Sequence, residues 1–468
     1  MSQVVTLLPQ QQPVKLDVFM SVQPGGISVC IRHVRVFESD GLRSTTLEYG
    51  AAACTAQTLV NMHAMTDSIA ASKADGTAAV ITDLIHHGYI PPAGFTAVQP
   101  AVHRASTVIF PSVAALRQRD WQHKTGYTYG LHGTPTTFTL EARIATLEGG
   151  QFCTLAPSGL AALALVSMAL LRAGDEVLIP DNAYGPNKAL AEGELAAWGI
   201  SHQFYNPMDP ADLAMRVSVK TRLVWLEAPG SITLEFPDLP ALVAASQSHT
   251  PAHPAGVVCA LDNTWGAGLA FNAFALGADI SVQALTKYPS GGADVLMGSV
   301  VTNSEALHRQ IHLTHMRMGF GVAGNDAEAV LRGLPSIALR YHGQDVSTRA
   351  LAQWMLTQPA IAAVFHPALV ASPGHAFWAR DCTAAACLFS VLFRSDISQL
   401  QVDAFCDHLR LFKLGYSWAG PISLCVPYDI AALRGPDWPH VGGLVRFSVG
   451  LENTADLLAD LAQALGQV

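Results

Sequence analysis

Between about residues 138 and 333, short apolar runs alternate with stretches of helical length. EVLIP at 176–180, RLVWLE at 222–227 and GVVCALDN at 256–263 are compact apolar blocks next to turn or polar residues. Such blocks read as strands buried on both faces of a mostly parallel sheet. EARIATLEGG at 141–150 predicts a helix closed by glycines, and the run from Leu160 to Leu171 has helical length. Strand and helix in alternation give an α/β unit. Asp181, Glu227 and Asp262 fall at or just after apolar runs, which places them at the carboxyl ends of strands, where functional side chains gather.

A second region follows RGLPSIALR at 332–340. It has a long helical pattern, strand-like CLFSVLF at 387–393 and LVRFSVG at 444–450, and a closing helix in ENTADLLADLAQAL. This predicts a smaller α/β domain at the edge of the larger one. The first 64 residues have no clear helical or strand rhythm, whereas a helical pattern after Met65 could run into Ile85. The expectation is that the functional chain begins near Met65. The resulting division is an extension over 1–77, an arm over 78–137, a large domain over 138–333 and a small domain over 334–468.

At 468 residues the chain exceeds the roughly 50–200 residues of an ordinary domain. It is 50% hydrophobic and only 13% charged, which excludes a disordered polyelectrolyte. Large subunit contacts would account for so few charges. The net charge of -9 leaves no electrostatic footprint for nucleic acid. No apolar run approaches the about 20 residues of a membrane span, and no export signal is evident. A cytoplasmic protein is expected. Eight cysteines without a CxxC pair and 18 histidines without HExxH give no metal site, and His86-His87 read as surface or packing residues.

The chemistry concentrates in LDNTWGAGLAF and SVQALTKYPSGGAD. A carboxylate at Asp262, beyond a buried strand, can hold a proton on a pyridine nitrogen. Lys287, 25 residues later, lies in a charge-poor segment suited to Schiff-base formation if burial lowers its pKa; alone it reads as a solvated lysine. In APSGLAAL, the backbone N–H groups of Gly159 and Leu160 can meet a phosphate at a helix start, and the hydroxyls of Ser158 and Thr286 can add to them. An ordinary helix start is the simpler reading. The Tyr184 ring can cover a flat cofactor or fill a core. Arg446 can clamp a carboxylate with two prongs, or sit on the surface of an edge strand.

Nine segments then occur together in order: YGLHGTPT, SGLAAL, DNAYGPN, LEAPGS, LDNTWGAG, TKYPSGGADVLMG, RGLPSIALR, YSWAGPISL and VRFSVGLE. On these, roughly residues 78–468 resemble the Cys/Met-metabolism pyridoxal-phosphate (PLP) enzymes of fold type I. The resemblance implies a seven-stranded, mostly parallel sheet in the large domain. It implies PLP bound through Lys287, with Asp262 on the pyridine nitrogen and Tyr184 stacked on the ring. Gly159, Leu160, Thr286 and Ser158 would hold the phosphate, and Tyr129 would reach into a neighbouring subunit's site. Arg446 would take the substrate carboxylate, with Ser417 and Trp418 nearby. A homotetramer of catalytic dimers is implied.

Trp265 and Trp418 resemble the β-lyase branch, whose substrate would be L-cystathionine or a related thioether amino acid. Rival readings are γ-cleavage or γ-replacement, a broader cysteine-S-conjugate lyase, and a non-catalytic PLP-binding protein. Two positions depart from the family pattern. Leu131, followed by His132, stands where an arginine usually contacts the phosphate, and GGAD at 291–294 stands where GHSD is common.

Overall fold

The structure, a computed structural model, describes residues 14–23, 26–36, 77–87, 94, 97–124, 126–247, 256–430, 434 and 439–467. It divides into units of residues 1–79 and 80–468. Residues 65–76, where a helical start was expected, lie outside the described residues; the helix there spans Thr77–Ile85.

In the first unit, the expected lack of strand rhythm is corrected. Strands β1 (Val14–Gln23) and β2 (Gly26–Val36) form an antiparallel hairpin, with Gln23 opposite Gly26 and Val14 opposite Val36. The signal is the period-two spacing of Val14, Leu16, Val18, Met20 and Val22.

The second unit holds two sheets. The larger comprises β3 (Phe152–Ala156), β4 (Glu176–Pro180), β5 (Ser201–Tyr205), β6 (Thr221–Glu227), β7 (Val258–Asp262), β8 (Ile280–Ala284) and β9 (Gly298–Thr302). Their order is β3-β9-β8-β7-β6-β4-β5. The pairs from β8 through β7, β6 and β4 to β5 are parallel, and β9 runs antiparallel to both its neighbours. The fold is therefore the expected α/β type with a mostly parallel seven-stranded sheet.

Both faces of this sheet are covered. Leu163, Val166 and Ala169 of the helix Gly159–Leu170 pack in one apolar cluster with Val177, Ile179 and Trp225. Leu140, Ile144 and Leu147 of the helix Pro135–Glu148 belong to another with Leu178, Val224 and Leu261. Successive strand residues point to opposite faces, which is why alternate positions of β4 and β6 enter different clusters. The helix Pro135–Glu148 starts at a Thr134 capping box and stops at Gly149, whose φ of 71° is left-handed.

The smaller sheet comprises β10 (Ile361–Phe365), β11 (Leu388–Phe393), β12 (Lys413–Leu414), β13 (Leu424–Tyr428) and β14 (Leu444–Ser448), in the order β10-β11-β14-β13-β12. Helices Ile337–Met355, Gln399–His408 and Thr454–Leu465 supply Leu351, Phe405 and Leu461 to its core. Among the described residues, no helix is long and apolar enough to cross a membrane.

Candidate active site

A cleft of about 520 Å³ opens where β6, β7 and β8 end. It is lined by Ser158, Gly159, Leu160, Tyr184, Asp262, Thr286, Lys287, Ser417, Trp418 and Arg446. Residues from both sheets thus converge on one cavity, at the strand ends where α/β folds place ligands.

Asp262 is the last residue of β7. Its Oδ1 accepts the Thr264 backbone N–H at 3.0 Å and the Thr264 hydroxyl at 2.5 Å. Burial raises its pKa, while those two donors and Lys287 oppose the shift. Lys287 follows β8 in the turn leading to β9. Burial, with Arg446 nearby, pulls its ammonium down to about 8. Its Nζ donates to Ser417 Oγ at 2.6 Å and lies 5.4 Å from the Trp418 ring centroid. Ser417 has φ 97°, in the left-handed region that non-glycine residues rarely adopt. That backbone is held where it meets the lysine.

The start of the helix Gly159–Leu170 sits tightly on β8: a Cβ at Gly159 would lie 2.6 Å from the Ala284 Cβ. The Ser158 hydroxyl accepts the Ala161 N–H at 3.0 Å, and the N–H groups of Gly159 and Leu160 have no partner within the helix. The Thr286 hydroxyl instead bridges to Met297, accepting its N–H at 3.1 Å. Tyr184 is 41% exposed at the rim, and its backbone N–H donates to Glu227 Oε2 at 2.8 Å.

Arg446 lies in β14, between β11 and β13, with only 7% of its surface exposed. The surface edge-strand alternative is thereby excluded. One guanidinium nitrogen donates to the Ser231 carbonyl at 3.1 Å, and the group lies 5.4 Å from the Tyr428 ring centroid.

Other expected positions fall elsewhere. Tyr129 is 47% exposed and does not line the cleft of its own chain, nor do Leu131 and His132. A Cβ on Gly321 would lie 2.9 Å from Leu131 Cδ1, and the His132 ring nitrogen Nδ1 is 2.7 Å from the Thr128 hydroxyl. Asp181, although at a strand end, pairs with Arg434 at 3.5 Å outside the cleft. Trp265 does line it. Glu227, marked by its strand end but given no role, also lines the cleft, as do Ser231, Tyr416 and Tyr428, to which the sequence attached no role.

The donor set fits PLP. The cleft supplies an amine with lowered pKa, a carboxylate at a strand end, free N–H groups at a helix start and an aromatic ring at the rim. Among the described residues, no group of three His, Cys, Asp or Glu is placed to hold a metal ion.

Fold and cleft together define a fold type I PLP enzyme. Residues 81–466 match the family described as "Cys/Met metabolism PLP-dependent enzyme", and the chain belongs to it. It is similar to a cystathionine β-lyase of Bordetella avium, 38% identical over 84% of this chain and 98% of that one. A cystathionine β-lyase of Escherichia coli strain K12 is 35% identical, over 83% and 98%. The solved structure of a cystathionine γ-synthase from Xanthomonas oryzae pv. oryzae matches with a TM-score of 0.74 and 27% identity, covering 83% of this chain and 98% of that one. The chain is a PLP-dependent enzyme of this carbon–sulfur lyase and transferase family.

Proposed function

We propose that the chain is a carbon–sulfur β-lyase that converts L-cystathionine and water to L-homocysteine, pyruvate and ammonia. The observation that carries this reading is the pair of indoles at the reacting lysine: Trp418, beside the Lys287 ammonium, and Trp265 in the same cleft wall. On this assignment the two indoles narrow the substrate pocket. In this reading Lys287 carries the cofactor and Asp262 holds the proton on the pyridine nitrogen. Tyr184 covers the ring, while Gly159, Leu160, Ser158 and Thr286 receive the phosphate.

Bound PLP supplies an electron-accepting ring that takes up the charge left when the substrate Cα loses its proton. The Lys287 amine would take that proton, and its lowered pKa suits proton transfer near neutral pH. Ser417 steers Nζ. Arg446, oriented by Ser231 and Tyr428, receives the substrate α-carboxylate. Proton delivery at sulfur falls to Tyr184 or to Tyr129 of a second copy. We assign residues 78–137 to such an exchange between subunits, in a homotetramer of catalytic dimers.

Product analysis of the PLP-loaded protein with L-cystathionine tests the assignment. Pyruvate with homocysteine is expected. Cysteine with 2-oxobutyrate overturns it in favour of γ-cleavage.

A further inference from the structure

Strands β6 and β7 are parallel neighbours, and Glu227 stands opposite Asp262 in their register. Each is the last residue of its strand, so two carboxylates sit side by side at the floor of one cleft. Residues paired across a parallel ladder share a face, and strands lie about 4.8 Å apart. Two carboxylates so placed, half-buried at one cleft wall, do not both ionise readily.

The donors are unequal. Asp262 receives two from Thr264, and Lys287 adds its field. Glu227 receives one, the Tyr184 backbone N–H at 2.8 Å. The cation facing Glu227 is Arg446, which is already bonded to the Ser231 carbonyl and lies over Tyr428. Burial, and then the neighbouring Asp262, push the Glu227 carboxyl well above the usual carboxylate range.

We propose that Glu227 is a positioning residue that stays protonated: it seats Tyr184 through one carboxyl oxygen and leaves Asp262 the sole anion of the strand-end pair. This rests on the reading that PLP occupies the cleft with Asp262 at its ring nitrogen. A neutral acid here separates two tasks that adjacent carboxylates would otherwise share. One charge faces the pyridine nitrogen, and one uncharged acceptor fixes the chain that carries the covering ring.

The test uses PLP-loaded wild type, Glu227→Gln and Glu227→Leu. Infrared difference spectra should show a buried carboxylic-acid C=O band in wild type that is lost in Glu227→Gln. The pH midpoint of the lysine-bound PLP absorbance should stay in place in Glu227→Gln. Glu227→Leu, which removes the acceptor for Tyr184, should raise the PLP dissociation constant by about three- to tenfold, and Glu227→Gln should restore most of that. A midpoint displaced by a full pH unit in Glu227→Gln, or no acid band in wild type, overturns the inference alone. Absence of lysine-bound PLP absorbance from wild type overturns the reading beneath it as well.

Discussion

Two carboxylates, one half-buried and one buried, are tied to adjacent residues of one turn and are treated in opposite ways. Asp262 closes β7 and lines the cleft. Asn263, the next residue, is fully buried and donates to Glu148 Oε2 at 2.9 Å. Ser281 donates to the same oxygen at 2.8 Å, and burial raises the Glu148 pKa to about 7. Glu148, at the end of the helix Pro135–Glu148, is enclosed: both donors, from the residue after β7 and from β8, reach one oxygen, and the other is buried without a partner among the described residues. Asp262 has one oxygen bonded within the protein and borders a cavity. Each acid is bonded within the protein through one oxygen, so burial and bonding alone do not mark a functional acid; the distinction is that Asp262 borders the cleft and Glu148 does not.

Three measurements sharpen this contrast. Replacing Asp262 by Asn should have the largest effect. Losing one partner of a buried charge pair costs roughly 3–5 kcal/mol, or about 10²–10⁴-fold in kcat/KM. Steady-state kinetics on the PLP-loaded variant reads it, and a loss below tenfold would place Asp262 with the architectural acids.

The next effect concerns Lys287. Only the unprotonated amine attacks an aldehyde, and burial holds its pKa at about 8. Stopped-flow capture of PLP by the apoprotein should therefore accelerate as pH rises through about 8 and level off above it. A rise centred near the ordinary lysine value would show that the cleft does not tune this group.

Glu148→Gln should have the smallest effect, and on stability rather than turnover. The folded-state pKa of Glu148 is raised, so its favourable contribution is complete below the ordinary carboxyl range and is lost as pH rises through about 7. A neutral amide that keeps the Asn263 and Ser281 contacts should gain on the order of 1–3 kcal/mol at pH 8 and little at pH 5. Thermal unfolding at the two values provides the check.

Much of this architecture can be read from short apolar runs. β4, β6 and β7 coincide with EVLIP, RLVWLE and GVVCALDN because parallel strands buried on both faces need unbroken apolar sequence. The strand-end rule brought Asp262 forward and treated Glu227 and Asp181 in the same way, although Asp181 ends beside Arg434 outside the cleft. Sequence spacing carries no information on that divergence, because it arises where separate loops settle. The contact between Lys287 and Ser417 joins positions 130 residues apart through a left-handed serine. No local pattern specifies such a pairing. The hairpin of β1 and β2 is a different kind of miss: its alternation was present in the sequence, beside a polar stretch that hid it.

The reversal of β9 has a consequence for how the reactive lysine is tethered. Because β8 and β9 are antiparallel neighbours, the chain leaves the sheet at Ala284 and returns at Gly298 without crossing it. Lys287 travels on this direct return. Lengthening such a closed segment is entropically cheap, about 0.6 kcal/mol per doubling. Tyr288, Val295 and Met297 are buried in the core, so the insertion that folding would register least is one among the exposed residues 292–294. The ends of this return are defended by core packing and its exposed middle by the placing of the amine, and a library of insertions at 292–294 would separate well-folded molecules from active ones.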